Sequence, residues 1–131
     1  MKKTVSFLVS GRGSNFQAVA KAIMKGTIPA KMGVVISDTE GVRALDIAQE
    51  LSIPSFFINP KQYKSRQEHE KAMVHLLREY NTDVVVTAGY MRLLTPYFVH
   101  EFRNKIINIH PALLPAFPGT HAQRQALEYG V

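Results

Sequence analysis

Val84-Val85-Val86 is a run of β-branched residues with no polar face to offer water, and it sits between two stretches whose apolar residues recur at helical spacing. A strand that is apolar on both faces must be covered on both, which is the arrangement of parallel α/β sheets rather than of hairpins with one wet side. The rest of the chain repeats the alternation. Val5 to Val9, Gly33 to Ser37, Ser55 to Ile58, Asp83 to Ala88 and Lys105 to Ile109 read as short buried strands. Helical spacing predicts helices over Phe16 to Met24, Val42 to Leu51, Ser65 to Tyr80, Pro96 to about Phe102, and His121 to Tyr129. The apolar stripe of the first carries Phe16, Val19, Ala20, Ile23 and Met24, that of the second Ala44, Leu45, Ala48 and Leu51, and that of the third Ala72, Met73, Leu76, Leu77 and Tyr80. Gly26 and Pro54 supply stop signals, and Thr95-Pro96 reads as an N-cap and first-turn pair. With 131 residues, no internal repeat and no linker, the expectation is a single α/β domain over residues 1–131. Its sheet is Rossmann-like and mainly parallel, with helices on both faces and sites at the carboxyl ends of the strands.

Composition narrows the function classes. No apolar run approaches the roughly 18 residues a membrane helix needs, and the stretch after Lys2-Lys3 is too short for a signal peptide and lacks a cleavage site. A cytoplasmic protein without membrane association is the expectation. The net charge of +6 would suit nucleic acid, but the basic residues are scattered, without a dense run or aromatic interleaving, so an anionic small molecule explains the charge better. The chain has no Cys, which excludes thiolate chemistry. His69, His75, His100 and His121 are not spaced as a metal site, and the first three read as solvated or core-edge residues.

The chemistry is concentrated where strands end. Gly11-Arg12-Gly13-Ser14-Asn15, between a strand and a helix, reads either as an anion cradle at a helix N-terminus or as a plain tight turn. It is no Walker loop, and Phe16 stands where a dinucleotide fingerprint needs its third glycine. Asn108 and His110, two apart in an extended strand, project to one face. They read either as caps of a turn or as a pair that polarises a carbonyl, with the amide donating to an oxyanion and the imidazole handling a proton. No Ser or Cys nucleophile with a plausible base accompanies them, which favours direct attack by a substrate amine. In a parallel sheet the glycine loop, the segment Gly89 to Leu94 and the Asn108/His110 pair gather along one edge.

Ser10-Gly11-Arg12-Gly13-Ser14-Asn15, Ala88-Gly89-Tyr90-Met91-Arg92-Leu93-Leu94 and Asn108-Ile109-His110-Pro111-Ala112-Leu113-Leu114-Pro115-Ala116-Phe117-Pro118-Gly119 resemble, in order and spacing, the phosphoribosylglycinamide formyltransferases of purine biosynthesis. The resemblance implies the formyltransferase fold and transfer of a formyl group from 10-formyltetrahydrofolate, a co-substrate, to the amine of glycinamide ribonucleotide, with no metal. It assigns the substrate phosphate to Gly13, Ser14 and Asn15, and the folate to Arg66, Met91, Arg92, Leu93, Leu94 and Asn108. Asn108 and His110 are its catalytic pair, Pro111, Leu113 and Pro115 shape the loop, and a homodimer is allowed. The family's catalytic Asp and part of its folate pocket lie downstream of Val131, so the chain resembles the larger N-terminal part of such an enzyme. Methionyl-tRNA formyltransferase and formyltetrahydrofolate hydrolase share the Asn-Ile-His strand end and form the alternative, as does a phosphate-binding module without catalysis.

Overall fold

The apolar runs become the strands of one parallel sheet because helices cover both of its faces. The computed structural model describes residues 2–109. The chain runs β1 (Lys3–Val9), α1 (Ser14–Met24), β2 (Ala30–Ser37), α2 (Arg43–Glu50), β3 (Ser55–Phe57), a 3-10 turn (Pro60–Gln62), α3 (Arg66–Glu79), β4 (Val84–Ala88), α4 (Pro96–Glu101) and β5 (Ile106–Ile109). The helix expected over His121 to Tyr129 lies outside the described residues. The strand order is β3-β2-β1-β4-β5, and every pairing is parallel.

Alternation along β1 sorts the core into two layers. Val5, Phe7 and Val9 pack with Phe16, Ala20 and Ile23 of α1 and with Ala44, Ile47 and Ala48 of α2. Leu8 faces the other way, toward Met73, Val74 and Leu77 of α3 and Phe98 and Phe102 at α4. Phe16, which spoils a dinucleotide fingerprint, is fully buried and meets the Phe7 ring edge-on at 4.9 Å. Its bulk is core volume here.

Three departures from the sequence expectations bear on how the sheet and its α3 cover are built. β1 and β2 begin earlier than Val5 and Gly33, because Lys3↔Ala30 and Thr4↔Lys31 continue the ladder through polar residues that an apolar pattern leaves out. Between Val5 and Phe7 the β2 partners advance from Met32 to Val35, so β2 carries an extra residue there. The Val34 N–H donates to Ser6 Oγ at 3.0 Å, and Ser6 Oγ lies 2.7 Å from Thr82 Oγ1. The third departure is in α3, whose buried residues are His69, Glu70, Met73, Val74 and Leu77, a face turned by about one residue from the expected stripe. Two polar side chains inside cause the turn, and both have work there: His69 Nε2 lies 2.9 Å from the Ile58 carbonyl, and Glu70 accepts from Thr95.

Helix α1 begins at Ser14, two residues before Phe16, with Gly13 as its N-cap at φ 77°. A Cβ on Gly13 would stand 2.7 Å from both Cα and Cβ of Ala44, so glycine here lets the first turn of α2 close against the loop. The Ala44 N–H seals that contact by donating to the Gly11 carbonyl at 3.0 Å. Gly11, in contrast, has open space where its side chain would be. Left-handed strain and overpacking together predict that Gly13→Ala loses about 2–5 kcal/mol in urea denaturation. Gly11→Ala should stay within about 1 kcal/mol of the parent. Equal losses at the two glycines would contradict the packing role of Gly13.

Candidate active site

From β1 the chain builds outward through β2 and β3, then returns to pair β4 on the opposite side of β1. The connections that leave β1 and β4 therefore diverge, and a crevice opens between them at the carboxyl edge of the sheet. It is a cleft of about 400 Å³, lined by residues 10–15 after β1 and by Ala88, Gly89 and Met91 at and after the end of β4. Gly13, Ser14 and Asn15, expected to hold an anion, form one wall of it. The start of α1 has no side-chain cap and no acidic residue in its first turn, so its amide donors and the positive end of its dipole are not answered by the helix's own side chains. Exposed Arg12 adds a positive charge at the same wall.

The segment between β4 and α4 forms the other wall, and each of its side chains has a definite place. Gly89, at φ 75°, turns the chain out of the strand. Tyr90 goes inward, its hydroxyl 3.7 Å from Met73 Sδ. Burial first, and the Asp38 carboxylate next, push its phenol well above the ordinary range, opposed by the neighbouring charges of Arg92 and Arg66. Met91 and Leu93 point out, 82% and 60% exposed, while Leu94 is buried among the residues under the segment. Leu94 thus touches the core and shapes the segment from beneath.

Thr95 was expected to cap α4 with its own side chain. It does stand at the N-cap, but it makes no such bond. Its N–H instead donates to Glu70 Oε2 at 2.8 Å, and its hydroxyl donates to Glu70 Oε1. A carboxylate from α3 thereby caps α4 from outside.

Arg92 is turned away from the glycine loop. It lines a second cleft, of about 390 Å³, with Asp38, Glu40, Phe57, Asn59 and Lys61, and its Nε is buried without a hydrogen-bond partner among the described residues. Arg66, exposed at the first turn of α3, lies near enough for its charge to act on Tyr90. The residues assigned to folate therefore divide: Met91 borders the cleft at the glycine loop, and Arg92 borders its neighbour.

Asn108 pairs with Thr87 across β4 and β5, both at the carboxyl edge. The buried Thr87 hydroxyl donates to Asn108 Oδ1 at 2.7 Å, which fixes the acceptor end of the amide and with it the direction of the NH2 donor. His110 lies outside the described residues, as do Pro111, Leu113 and Pro115. The sheet brings the ends of β1, β4 and β5 side by side, so the glycine loop, the Met91 segment and Asn108 share one edge as expected.

Residues 3–131 match the family model described as formyl transferase. The chain belongs to the formyl transferase family. Among curated relatives, it is 43% identical over 130 residues to the trifunctional purine biosynthetic protein adenosine-3 of Homo sapiens, covering 99% of this chain and 13% of that protein. It is 38% identical to the phosphoribosylglycinamide formyltransferase of Escherichia coli (strain K12), covering 94% of this chain and 58% of that enzyme. The crystal structure of glycinamide ribonucleotide transformylase 1 from Symbiobacterium toebii superposes with a TM-score of 0.83 at 42% identity, over 99% of this chain and 61% of that one. These likenesses support the Rossmann-like formyltransferase fold that the motifs implied.

Sequence reasoning did not single out Ser10 beyond its place in the loop motif, nor Asp38, Glu70 or Thr87. Only the strand order could have found them, since each acts across a separation of 21 to 81 residues. Removing the Glu70 carboxylate leaves the Thr95 donors without their acceptor, so Glu70→Ala should cost about 1–3 kcal/mol in chemical denaturation. Glu70→Gln keeps one acceptor oxygen and should lose less. A Gln variant as unstable as the Ala variant would show that the cap is not what Glu70 contributes.

Proposed function

We propose that this chain carries the substrate cleft of a phosphoribosylglycinamide formyltransferase, which moves a formyl group from 10-formyltetrahydrofolate to the amine of glycinamide ribonucleotide. The observation that carries the reading is the cleft at the β1/β4 reversal, with an α-helix N-terminus lacking its own side-chain cap on one side and the Met91 segment on the other. A phosphate monoester suits the first wall, because backbone N–H groups and the dipole both favour an anion there. The exposed Met91 and Leu93 suit the flat apolar body of a folate on the second.

The reaction then needs little from the protein beyond placement and one developing charge. The amine attacks the formyl carbon, a C–N bond forms, and the formyl oxygen takes the negative charge of a tetrahedral intermediate. Collapse breaks the bond to folate N10, which gains the proton that the amine gives up. Asn108, oriented by Thr87, is the donor for the oxyanion. His110 is the acid beside it, a role that rests on the motif Asn108-Ile109-His110. The folate side is assigned to Arg66, Met91, Arg92, Leu93, Leu94 and Asn108, and the phosphate side to Gly13, Ser14 and Asn15.

In the protein that carries this sequence, Asn108→Ala should lower turnover about a hundred- to a thousandfold, with His110→Ala comparably severe. Steady-state assays at saturating formyl donor measure this. Turnover near the parent's in either variant, or a loss confined to KM, would overturn the roles assigned.

A further inference from the structure

Ser10, the first residue after β1, is 9% exposed and lines the cleft, and its hydroxyl reaches both the loop after β2 and the segment after β4. A hydroxyl has one proton and two lone pairs. Its proton goes to Asp38 Oδ1, at 2.7 Å, in the loop after β2. Asp38 Oδ1 also receives the Thr39 hydroxyl at 2.9 Å. With the proton so committed, a lone pair of Ser10 Oγ accepts the Met91 N–H at 2.8 Å. That bond falls where the backbone has left one element and not entered the next, since β4 ends at Ala88 and α4 begins at Pro96. The Met91 side chain, almost wholly in solvent, gives the segment no apolar anchor at that point.

We infer that Ser10 is a positioning residue: oriented by Asp38, its hydroxyl holds the Met91 backbone in register with the glycine loop, and so sets the folate-side wall of the cleft against the phosphate-side wall. The inference rests on the proposed function for the identity of the two ligands. A serine that merely stabilised a turn would affect both ligands alike when removed. The geometry requires an asymmetric effect, because the α1 amides that would meet a phosphate do not depend on the Ser10 hydroxyl, whereas the Met91 amide does.

The test uses tetrahydrofolate and glycinamide ribonucleotide as calorimetric probes, with amide hydrogen exchange at Met91 read alongside. Ser10→Ala and Asp38→Ala should each weaken tetrahydrofolate by about tenfold, and raise KM for the formyl donor to match, while glycinamide ribonucleotide binding stays within about twofold. Asp38→Asn keeps an acceptor for the Ser10 proton and should remain within about threefold of the parent. The double variant should be no more than about twofold weaker than Ser10→Ala alone, because both changes break one chain of bonds. Additive losses, equal losses for the two ligands, or an Asn variant as damaged as Asp38→Ala would each overturn the inference. Should Ser10→Ala fail to fold, the contrast between Asp38→Asn and Asp38→Ala decides alone. A parent protein that binds no tetrahydrofolate would refute the functional reading instead. Met91 exchange then decides the inference: selective acceleration in Asp38→Ala supports the tie, and unchanged exchange refutes it.

Discussion

Parallel pairing on both sides of β1 is the constraint on which the rest of the molecule depends. Once β2 and β4 flank it in the same direction, the connections that leave β1 and β4 run to opposite sides and cannot fill the space between them. The cleft at residues 10–15 and 88–91 is the result. Both faces of β1 are then covered by helices, and the chain leaves the sheet at the carboxyl end of the strand. That is where the glycine loop begins.

What holds the site is polar, although what holds the sheet is apolar. Asp38 orients Ser10, which holds Met91; Glu70 holds Thr95; Thr87 orients Asn108. Each of these bonds joins different secondary elements at or near the carboxyl edge, and each rests on a buried or half-buried oxygen. Such bonds gain strength from the low local dielectric, and for the same reason they are costly to leave half made. They fix loop positions that an apolar core would leave adjustable. The Met91 segment thus presents Met91 and Leu93 to solvent from a backbone tied down near both of its ends.

Much of this was legible in the residues, and the illegible part has a common cause. Val84-Val85-Val86 and Val5 to Val9 announced buried parallel strands because apolar runs and helical spacing are local signals. The glycine loop and the Asn108 strand end were placed on one edge by the general rule for such sheets. The bulge in β2 was not legible, since it depends on Ser6 reaching Val34 from the neighbouring strand. The α3 face was misjudged because Glu70 and His69 look like solvent residues until Thr95 and Ile58 supply their partners. The glycine loop reads as an anion cradle or a tight turn, and neither reading shows that Gly13 also lets Ala44 of α2 close against it. In each case the deciding atom belongs to an element distant in sequence.

The central claim is that the uncapped first turn of α1, at Gly13 to Asn15, receives the phosphate of the substrate. Amide chemical-shift mapping with glycinamide ribonucleotide, set beside the same molecule without its phosphate, tests it most directly. The account predicts that the phosphorylated ligand binds about tenfold more tightly or better, with the largest phosphate-dependent shifts at Gly13, Ser14 and Asn15. Equal affinity for the two ligands, or phosphate-dependent shifts centred on Asn59, Lys61 and Arg92 in the neighbouring cleft, would contradict it.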